Sequence, residues 1–281
     1  MLVLSFASTP QANGQTPPRQ QPQTRTGEFR AHMKFHSKFL SADRDVLVYL
    51  PPGYDRERSR RYPVLYMHDG QNLFDGSTSF IPGMEWRVDE TAQALIESGA
   101  IEPLIIVGIY NTGTSRVDEY TPTADARYKA GGQAALYGRL IVEELKPFID
   151  ARYRTRREAS ATALGGSSLG GLVSLYLGLK YPKVFGRLAI LSPAVQWDER
   201  MILREVEAVG ARPRTRIWLD MGTKECPSCT GNARLLRDAL TRKGWRLDSD
   251  LKYFEAEGAE HNERAWAERV EPLLRFLFPR R

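Results

Sequence analysis

Ser168 stands in a motif that is typical of catalytic serines. Residues 165–171 read Gly-Gly-Ser-Ser-Leu-Gly-Gly, and the G-x-S-x-G pattern fits in one register, with Gly166 and Gly170 at its ends. Such a serine sits in a strained turn between a strand and a helix, so the residues two positions away must be tiny. The pattern predicts that Ser168 is a nucleophile. The alternatives are a glycine-rich turn that only packs closely, or a phosphate loop, which would carry a lysine that this motif lacks.

His261 is the one histidine of the four that follows Ser168 in the sequence. A serine hydroxyl is a poor nucleophile until a base takes its proton, and with an elbow of this kind the partners follow in the order serine, acid, histidine. His261 lies in the segment Gly-Ala-Glu-His-Asn at 258–262, which we predict to be a loop between the last strand and the last helix. We therefore predict that His261 is the base.

Two carboxylates, Asp220 and Glu225, lie near the end of the predicted strand 216–221 and could orient this histidine. Asp220 falls inside the strand pattern, where its side chain would point to one face of the sheet. Glu225 follows Gly-Thr-Lys on the next loop, so it is free to reach the imidazole, fix its tautomer and stabilise the imidazolium. We predict Glu225 as the acid, with Asp220 as the alternative.

Two backbone N–H groups are needed to hold the negative charge that develops on the substrate oxygen. One is predicted at Leu169, the residue after the nucleophile. The other is predicted at Gln71, in a loop after an early strand where Gly70 lets the chain curl closely. His68, just before this loop, is expected to hold the loop by hydrogen bonds rather than to catalyse.

The elements that must position these residues alternate along the chain. Alternating or continuous apolar stretches predict strands, and apolar residues at helical spacing predict helices. The predicted strands are 33–39, 46–50, 64–68, 104–110, 161–166, 185–191, 216–221 and 251–255, and the predicted helices are 88–98, 134–153, 172–179, 200–209, 232–243 and 263–278.

This order of elements predicts an α/β fold. The first two strands form an antiparallel pair, and the strand–helix alternation after them predicts a mostly parallel central sheet with helices on both faces. We expect a disordered tail over residues 1–30 and one catalytic domain over 31–281, because no composition break marks a second domain. No inserted segment is long enough for a large lid.

Composition narrows the class of protein. The chain has 281 residues, 42% of them hydrophobic and 26% charged, as expected for a globular protein with one large core. The net charge of +6 arises from Lys and Arg scattered among 34 acids, which predicts a solvated basic surface and no nucleic-acid partner. No apolar run has the length of a membrane span.

Cys226 and Cys229 are half of a zinc site, so we expect no metal and favour a local disulfide over two free thiols.

The N-terminal residues bear on where the protein acts. A short apolar run at 2–7 is followed by small residues and a spacer rich in Gln, Pro and Thr up to about residue 26. The segment resembles the end of a secretory leader that lacks its basic start. We predict a secreted or periplasmic protein, and the alternative is a cytoplasmic protein with an N-terminal tail.

Several stretches resemble the putative-esterase family, the esterase D-like group of α/β-hydrolases. They include Pro-Pro-Gly-Tyr at 51–54, His-Asp-Gly-Gln-Asn at 68–72 and the serine elbow, and the resemblance spans about residues 35–278. The group contains feruloyl and acetylxylan esterases, enterochelin-type siderophore esterases, S-formylglutathione hydrolase and mycolyltransferases. It implies a sheet of about eight strands, acyl-enzyme chemistry, and neither a metal nor a dissociable cofactor. Its members often carry Asp as the acid, where this chain has Glu225.

The resemblance also implies a substrate class. We predict four substrate-binding residues on loops after strands or on the family's substrate-side segments: Trp86, Arg116, Tyr120 and Trp197. An aromatic face beside an arginine would suit a phenolic or sugar ester. The alternative for each of these residues is that it only packs its loop. We expect a serine carboxylic ester hydrolase that acts on a small-molecule or carbohydrate-linked ester, such as a feruloyl or acetyl ester of a plant polysaccharide. The alternatives are a siderophore esterase or acyltransferase on the same triad, and a non-catalytic carbohydrate-binding relative.

Overall fold

The computed structural model describes residues 24–280, so the predicted leader and most of the predicted spacer lie outside the described residues. One eight-stranded sheet forms the centre, in the order β1-β2-β4-β3-β7-β8-β9-β10, and a two-stranded ribbon, β5-β6, lies apart from it. The strands are β1 (Glu28–Phe35), β2 (Arg44–Leu50), β3 (Val64–His68), β4 (Ile105–Ile109), β5 (Ala124–Asp125), β6 (Ala130–Gly131), β7 (Thr162–Ser167), β8 (Arg187–Leu191), β9 (Arg216–Gly222) and β10 (Leu251–Ala256).

The strand directions follow from the connections between the strands. The hairpin places β1 antiparallel to β2, and β2 also pairs antiparallel with β4. All other pairs in the large sheet are parallel: β4 with β3, β3 with β7, and then β8, β9 and β10 in turn. Residues of β3 and β4 are buried throughout, as expected for strands covered on both faces. The predicted α/β-hydrolase architecture, with its N-terminal antiparallel strands, is confirmed.

Helices cover both faces of the sheet. One face packs against α1 (Val88–Glu97) and α8 (Glu263–Leu277), whose apolar residues share a core with Leu65, Met67 and Trp218 of the strands. The other face packs against five further helices. These are α3 (Ala134–Arg139), α4 (Lys146–Arg152), α5 (Leu169–Lys180), α6 (Trp197–Ala208) and α7 (Cys229–Arg242), and a short helix, α2 (Arg116–Glu119), precedes the β5-β6 ribbon.

Several boundaries differ from the prediction, most clearly at the first strand, which was predicted over 33–39 and spans Glu28–Phe35, and at the helix predicted over 134–153. The sheet begins at Glu28, before the domain boundary expected at residue 31, because β1 pairs along Leu50, Tyr49 and Val48 of β2. The single helix predicted over 134–153 is interrupted, since a π-helical stretch, Leu140–Leu145, joins α3 to α4. Spacing along a sequence does not distinguish these closely related helical forms.

Candidate active site

Ser168 occupies the turn between β7 and α5 with the strained backbone that its motif predicts. Its φ is 57° and its ψ is −122°, a conformation that is costly for a residue with a Cβ atom. Gly166 and Gly170 lie against His68, where an added Cβ would come within 3.2 Å and 3.4 Å of that side chain. The turn is fixed by Ser168 N, which donates to Leu191 O at 3.1 Å. The two glycines therefore allow the chain to turn tightly past His68, and this turn places Ser168 at the carboxyl edge of the sheet.

His261 lies on the loop between β10 and α8, as predicted, and it contacts Glu225. The Nδ1 atom of its ring is 2.7 Å from Oε2 of Glu225. The ring of Trp266 meets the imidazole edge-on, with 4.9 Å between the ring centres and an interplanar angle of 83°. The imidazole of His261 thus contacts a carboxylate on one side and the ring of Trp266 on another.

The side chain of Glu225 is only 1% exposed and accepts three hydrogen bonds. Its Oε1 atom accepts from Ser192 Oγ at 2.5 Å and from the backbone N–H of Gly222 at 2.7 Å, while Oε2 faces His261. Burial acts to raise the pKa of Glu225, but the hydrogen bonds from His261, Ser192 and Gly222 outweigh it, so the net pKa is lowered. An ionised Glu225 can fix the tautomer of His261 and balance a charge on it.

Asp220, the alternative acid, is engaged elsewhere. Its Oδ1 atom accepts from Arg269 Nη1 at 2.7 Å and from the backbone N–H of Ser192 at 3.2 Å, and its Oδ2 atom accepts from Trp218 Nε1 at 2.7 Å. Arg269 also approaches Glu225, with 3.5 Å between Nη2 and Oε1. The structure brings Glu225, and not Asp220, to the histidine, and it joins the two carboxylates through Arg269.

Of the two predicted oxyanion-hole residues, Leu169 follows Ser168 in the chain and Gln71 lines the same cavity as Ser168. Leu169 is the first residue of α5, so its N–H is among those at the helix start that have no acceptor within the helix. Gln71 lies in a 3₁₀ turn, Gly70–Asn72, and its Oε1 accepts from the backbone N–H of Asn111 at 3.3 Å. A Cβ at Gly70 would lie 2.6 Å from the backbone of Gly108, so only glycine permits this close approach.

Ser168 and His261 line the same cavity of about 400 Å³. Its wall combines apolar and polar side chains: Asp69, Gln71, Asn72, Phe80, Ile81, Asn111, Gly113, Arg116, Ser167, Glu263 and Trp266. A smaller cavity of about 260 Å³ reaches the same two residues from the side of Glu225 and is lined by Pro193, Ala194 and both cysteines. Ser168 and His261 therefore lie where two cavities meet.

Among the four residues expected to bind substrate, Arg116 lies on the cavity and the other three do not. Arg116 forms a two-pronged ion pair with Asp69, with Nε–Oδ1 and Nη2–Oδ2 distances of 2.7 Å each. Trp86 is buried against Trp266, with 5.4 Å between the rings. Tyr120 is buried, and its hydroxyl accepts from the backbone N–H of Asp69 at 3.3 Å.

Trp197 is also buried, so its predicted role at the substrate is corrected in the same way. Its Nε1 donates to Thr123 O at 2.9 Å, and its ring stacks on Tyr128 with 5.3 Å between centres. Trp86, Tyr120 and Trp197 carry large apolar surfaces, and the loops around the site bury those surfaces to hold themselves in place. They support the cavity without lining it.

Other residues of the site were missed by the sequence interpretation. Trp266 and Glu263 line the cavity from the start of α8, Phe80 lines it from the loop before α1, and Arg269 lies under the candidate acid. The available signal was the buried face of α8, where an arginine at position 269 shares helical spacing with Trp266 and Leu273. A charged residue at a core position requires a buried partner, and that requirement points to Asp220 and Glu225.

His68 supports the site, as expected, and is not aligned for catalysis. Its Nδ1 atom is hydrogen-bonded to the hydroxyl of Tyr137 at 2.8 Å, and the residue is buried beside the elbow glycines. Burial lowers the pKa of His68 to about 3, so the ring stays neutral at physiological pH.

The structure joins Cys226 to Cys229 by a disulfide immediately after Glu225. Among residues 24–280 no group of three or more His, Cys, Asp or Glu side chains could hold a metal ion.

Comparison with known proteins identifies the family. The model of the family described as "Putative esterase" matches residues 37–277. The chain belongs to this family. It is 26% identical over 236 residues to an endo-1,4-beta-xylanase/feruloyl esterase of Xylanibacter ruminicola, a match that covers 82% of this chain and 29% of the relative. It is 29% identical over 161 residues to the ferri-bacillibactin esterase BesA of Bacillus subtilis, a match that covers 52% of each chain.

The solved structures agree on the fold. The BES protein from Bacillus cereus superposes with a TM-score of 0.74 at 23% identity, and the alignment covers 94% of this chain and 99% of that one. Family and relatives together support an ester hydrolase. No helix within residues 24–280 is both long and apolar enough to cross a bilayer.

Proposed function

We propose that this protein is a serine carboxylic ester hydrolase that forms an acyl-enzyme on Ser168. One observation carries the proposal: Ser168, in a strained elbow, shares a cavity with His261, whose Nδ1 lies 2.7 Å from the buried carboxylate of Glu225. This is the arrangement of nucleophile, base and orienting acid that activates a serine hydroxyl. The membership of the esterase family supports the reaction class.

In the proposed reaction, Ser168 Oγ attacks the ester carbonyl while Nε2 of His261 takes the hydroxyl proton. The N–H groups of Leu169 and Gln71 hold the oxyanion of the tetrahedral intermediate. When this intermediate collapses, the alcohol leaves with the proton from His261 and an acyl-enzyme remains. A water molecule then gives a proton to His261 and attacks the acyl carbon. When this second tetrahedral intermediate collapses, His261 returns the proton to Ser168 Oγ, which releases the carboxylic acid and restores the enzyme.

The charge of the cavity favours an uncharged phenolic or short acyl ester over a ferric siderophore. Arg116, the arginine that lines it, is neutralised by Asp69, and Glu263 adds a second carboxylate to the wall. A ferric tri-catecholate is a multiply charged anion and would find no uncompensated cation there. Apolar surface from Phe80, Ile81 and Trp266 suits an aromatic or acetyl group. The feruloyl-esterase relative also matches more of the chain than BesA does.

Mutation of Ser168 tests the mechanism. Ser168→Ala is expected to lower ester hydrolysis by about 10⁴ to 10⁶ in kcat, because removing a triad serine leaves only binding and the oxyanion hole. The matched control is Ser59→Ala, at an exposed serine on the loop after β2 and outside the cavity, which should keep activity and labelling by a fluorophosphonate. Turnover by Ser168→Ala at the wild-type rate, or a native enzyme that the fluorophosphonate does not label, would refute the assignment.

A substrate panel separates the candidate functions. Methyl ferulate, acetylated xylan, short p-nitrophenyl esters and a tri-catecholate siderophore would be compared by kcat/KM. Feruloyl or acetyl esters are expected to lead. A lead for the siderophore would favour the alternative esterase, and transfer of the acyl group to an added alcohol in preference to water would indicate an acyltransferase. A folded protein that hydrolyses none of them would favour the non-catalytic carbohydrate-binding relative.

We also propose that the protein acts outside the cytoplasm. The Cys226–Cys229 disulfide supports this location, because disulfides persist mainly in oxidising compartments. Fractionation of the native source cells tests it: recovery of the mature protein in the medium or the periplasm is expected, and recovery in the cytoplasm with both thiols reduced would contradict the proposal.

A further inference from the structure

A second cavity, larger than the one at Ser168, opens at the opposite edge of the sheet. Its volume is about 520 Å³, and its walls include residues at or just before the amino ends of parallel strands: Arg187 begins β8, Arg216 begins β9 and Asp250 precedes β10. Ser168 and Glu225 follow the carboxyl ends of such strands. A strand of seven residues such as β9 spans about 20 Å, so the two cavities are separate sites.

Arginine dominates the wall of this second cavity, which we call the arginine cavity. Arg212 and Arg214 reach it from the loop before β9, Arg216 from the first position of β9, and Arg246 from the loop before β10. Asp250 is the carboxylate among its lining residues. Four guanidinium groups, three from residues 212–216 and one from Arg246, therefore share the cavity wall with one acid.

Asp250 cannot neutralise this charge. Its Oδ2 atom lies 3.0 Å from Arg212 Nη1 and 3.5 Å from Arg246 Nε, so two arginines share one carboxylate. Its Oδ1 atom is occupied by the backbone N–H of Arg246 at 2.6 Å. Arg216 donates to a neutral group, the carbonyl of Phe276, at 2.8 Å, which orients the guanidinium and leaves its charge in place. Arg187 is left out of this count because it pairs with Glu102 at 3.1 Å.

The remaining lining residues indicate the kind of anion that fits. A guanidinium binds phosphate through two parallel hydrogen bonds, and a tetrahedral phosphate accepts such pairs from several directions, whereas a planar carboxylate accepts them mainly in one plane. The side-chain hydroxyl of Thr215 is buried at the cavity without a hydrogen-bond partner in the described residues. Leu277 and Pro279 add an apolar wall, and the volume exceeds that of one phosphate group.

We propose that the arginine cavity binds a phosphate-bearing small molecule. This site is independent of the esterase reaction, since none of its lining residues belongs to the cavity at Ser168. Charge-assisted bonds from Arg214 and Arg246 supply the affinity, and Arg216, held by Phe276, supplies a fixed point for the phosphate.

Inorganic pyrophosphate is the probe, with citrate as the comparison anion. Binding would be measured by calorimetry and by thermal shift on the full-length protein, with sodium salts at constant ionic strength so that general screening is equal. We expect saturable binding of pyrophosphate to the wild type. The double variant Arg214→Gln/Arg246→Gln should raise its Kd at least about tenfold, because two charged hydrogen-bond donors are lost.

The control variant removes the same charge elsewhere. Arg58→Gln/Arg60→Gln changes two exposed arginines on the loop after β2 and should leave the Kd unchanged. If the first double variant does not fold, Arg214→Gln alone serves, because Arg214 is exposed. Absence of saturable pyrophosphate binding, equal weakening by both double variants, or tighter binding of citrate than of pyrophosphate would overturn the proposal.

Discussion

Replacement of Glu225 by glutamine should force His261 into the wrong tautomer. The Oε1 atom of Glu225 faces donors from Ser192 and Gly222, with Arg269 at 3.5 Å, while Oε2 faces Nδ1 of His261 at 2.7 Å. A glutamine at this position must keep its oxygen toward the donors, so its NH₂ group points at His261. Nδ1 then has to accept, the proton moves to Nε2, and the imidazole can no longer take a proton from Ser168.

The expected loss is about 10² to 10⁴ in kcat, by analogy with acid-to-amide changes in other triads. Each factor of ten corresponds to about 1.4 kcal/mol of activation free energy, so the change removes about 3 to 5 kcal/mol. The upper end applies if the tautomer is fully reversed, since both the proton acceptor and the charge that stabilises the imidazolium are then lost. KM should change much less, because Glu225 is buried behind His261.

The control is Asp220→Asn, which alters the other buried carboxylate. Asp220 binds Arg269 at 2.7 Å, and breaking a buried ion pair costs about 3 to 5 kcal/mol of folding free energy. Asp220→Asn should therefore lower the melting temperature, and it should lower the kcat of the folded fraction much less than Glu225→Gln does, because Asp220 acts on His261 only through Arg269. Both variants would be assayed on a short-chain p-nitrophenyl ester, with folding followed by thermal melts. A folded, fully active Glu225→Gln beside an inactive but stable Asp220→Asn would show that Asp220 is the acid.

Two further predictions concern stability. Because burial lowers the pKa of His68 to about 3, the folded state binds fewer protons than the unfolded state below pH 6.5, so stability present above that pH is lost as the pH falls toward 3. His68 should lower the free energy of unfolding by about 2 kcal/mol at pH 5. Urea titrations at pH 8 and pH 5 should find a difference in unfolding free energy that is smaller by this amount in His68→Gln than in the wild type. The same pH dependence in both proteins would contradict the prediction. Reduction of the Cys226–Cys229 disulfide should lower the melting temperature by only a few degrees, since closing so short a loop contributes about 2 kcal/mol at most, and it should reduce kcat by loosening the loop of Glu225. Thiol titration of the unreduced, denatured protein should find no free thiols, and two would show that no bridge exists.

The positions of Ser168 and His261 were accessible from sequence because each depends on local rules. The elbow requires small residues at fixed offsets within one turn, and the order of the triad along the chain leaves His261 as the histidine that can follow the serine. Glu225 was favoured by reach: a residue on a loop after a strand can turn toward a neighbouring loop, whereas a residue inside the strand is committed to a face of the sheet. The structure places the three accordingly.

The wall of the cavity was not accessible in the same way. Trp86, Tyr120 and Trp197 lie on the expected loops, but a loop presents one side to the cavity and buries the other, and residue type does not reveal which. Burial of a large aromatic ring is strongly favourable, which explains why these three rings pack beneath the site. Phe80 and Trp266 line the cavity because contacts between distant parts of the chain set their position: Trp266 packs against Trp86, and Phe80 N donates to Asn72 Oδ1.

Arg269 connects the two buried carboxylates into one electrostatic unit. Asp220 and Glu225 carry two negative charges against the single positive charge of Arg269, and burial raises the pKa of Asp220 only to about 6, so both are ionised at pH 7. The group beneath His261 therefore has a net negative charge while the imidazole is neutral. In the proposed reaction His261 takes the proton of Ser168, and its new positive charge balances the group. Charges fixed in this way before the reaction favour the state in which the imidazolium has formed over the resting state, and that difference is what lowers a barrier. Asp220, in β9, thus holds Arg269 in place, and Arg269 in turn stabilises Glu225 on the loop that follows.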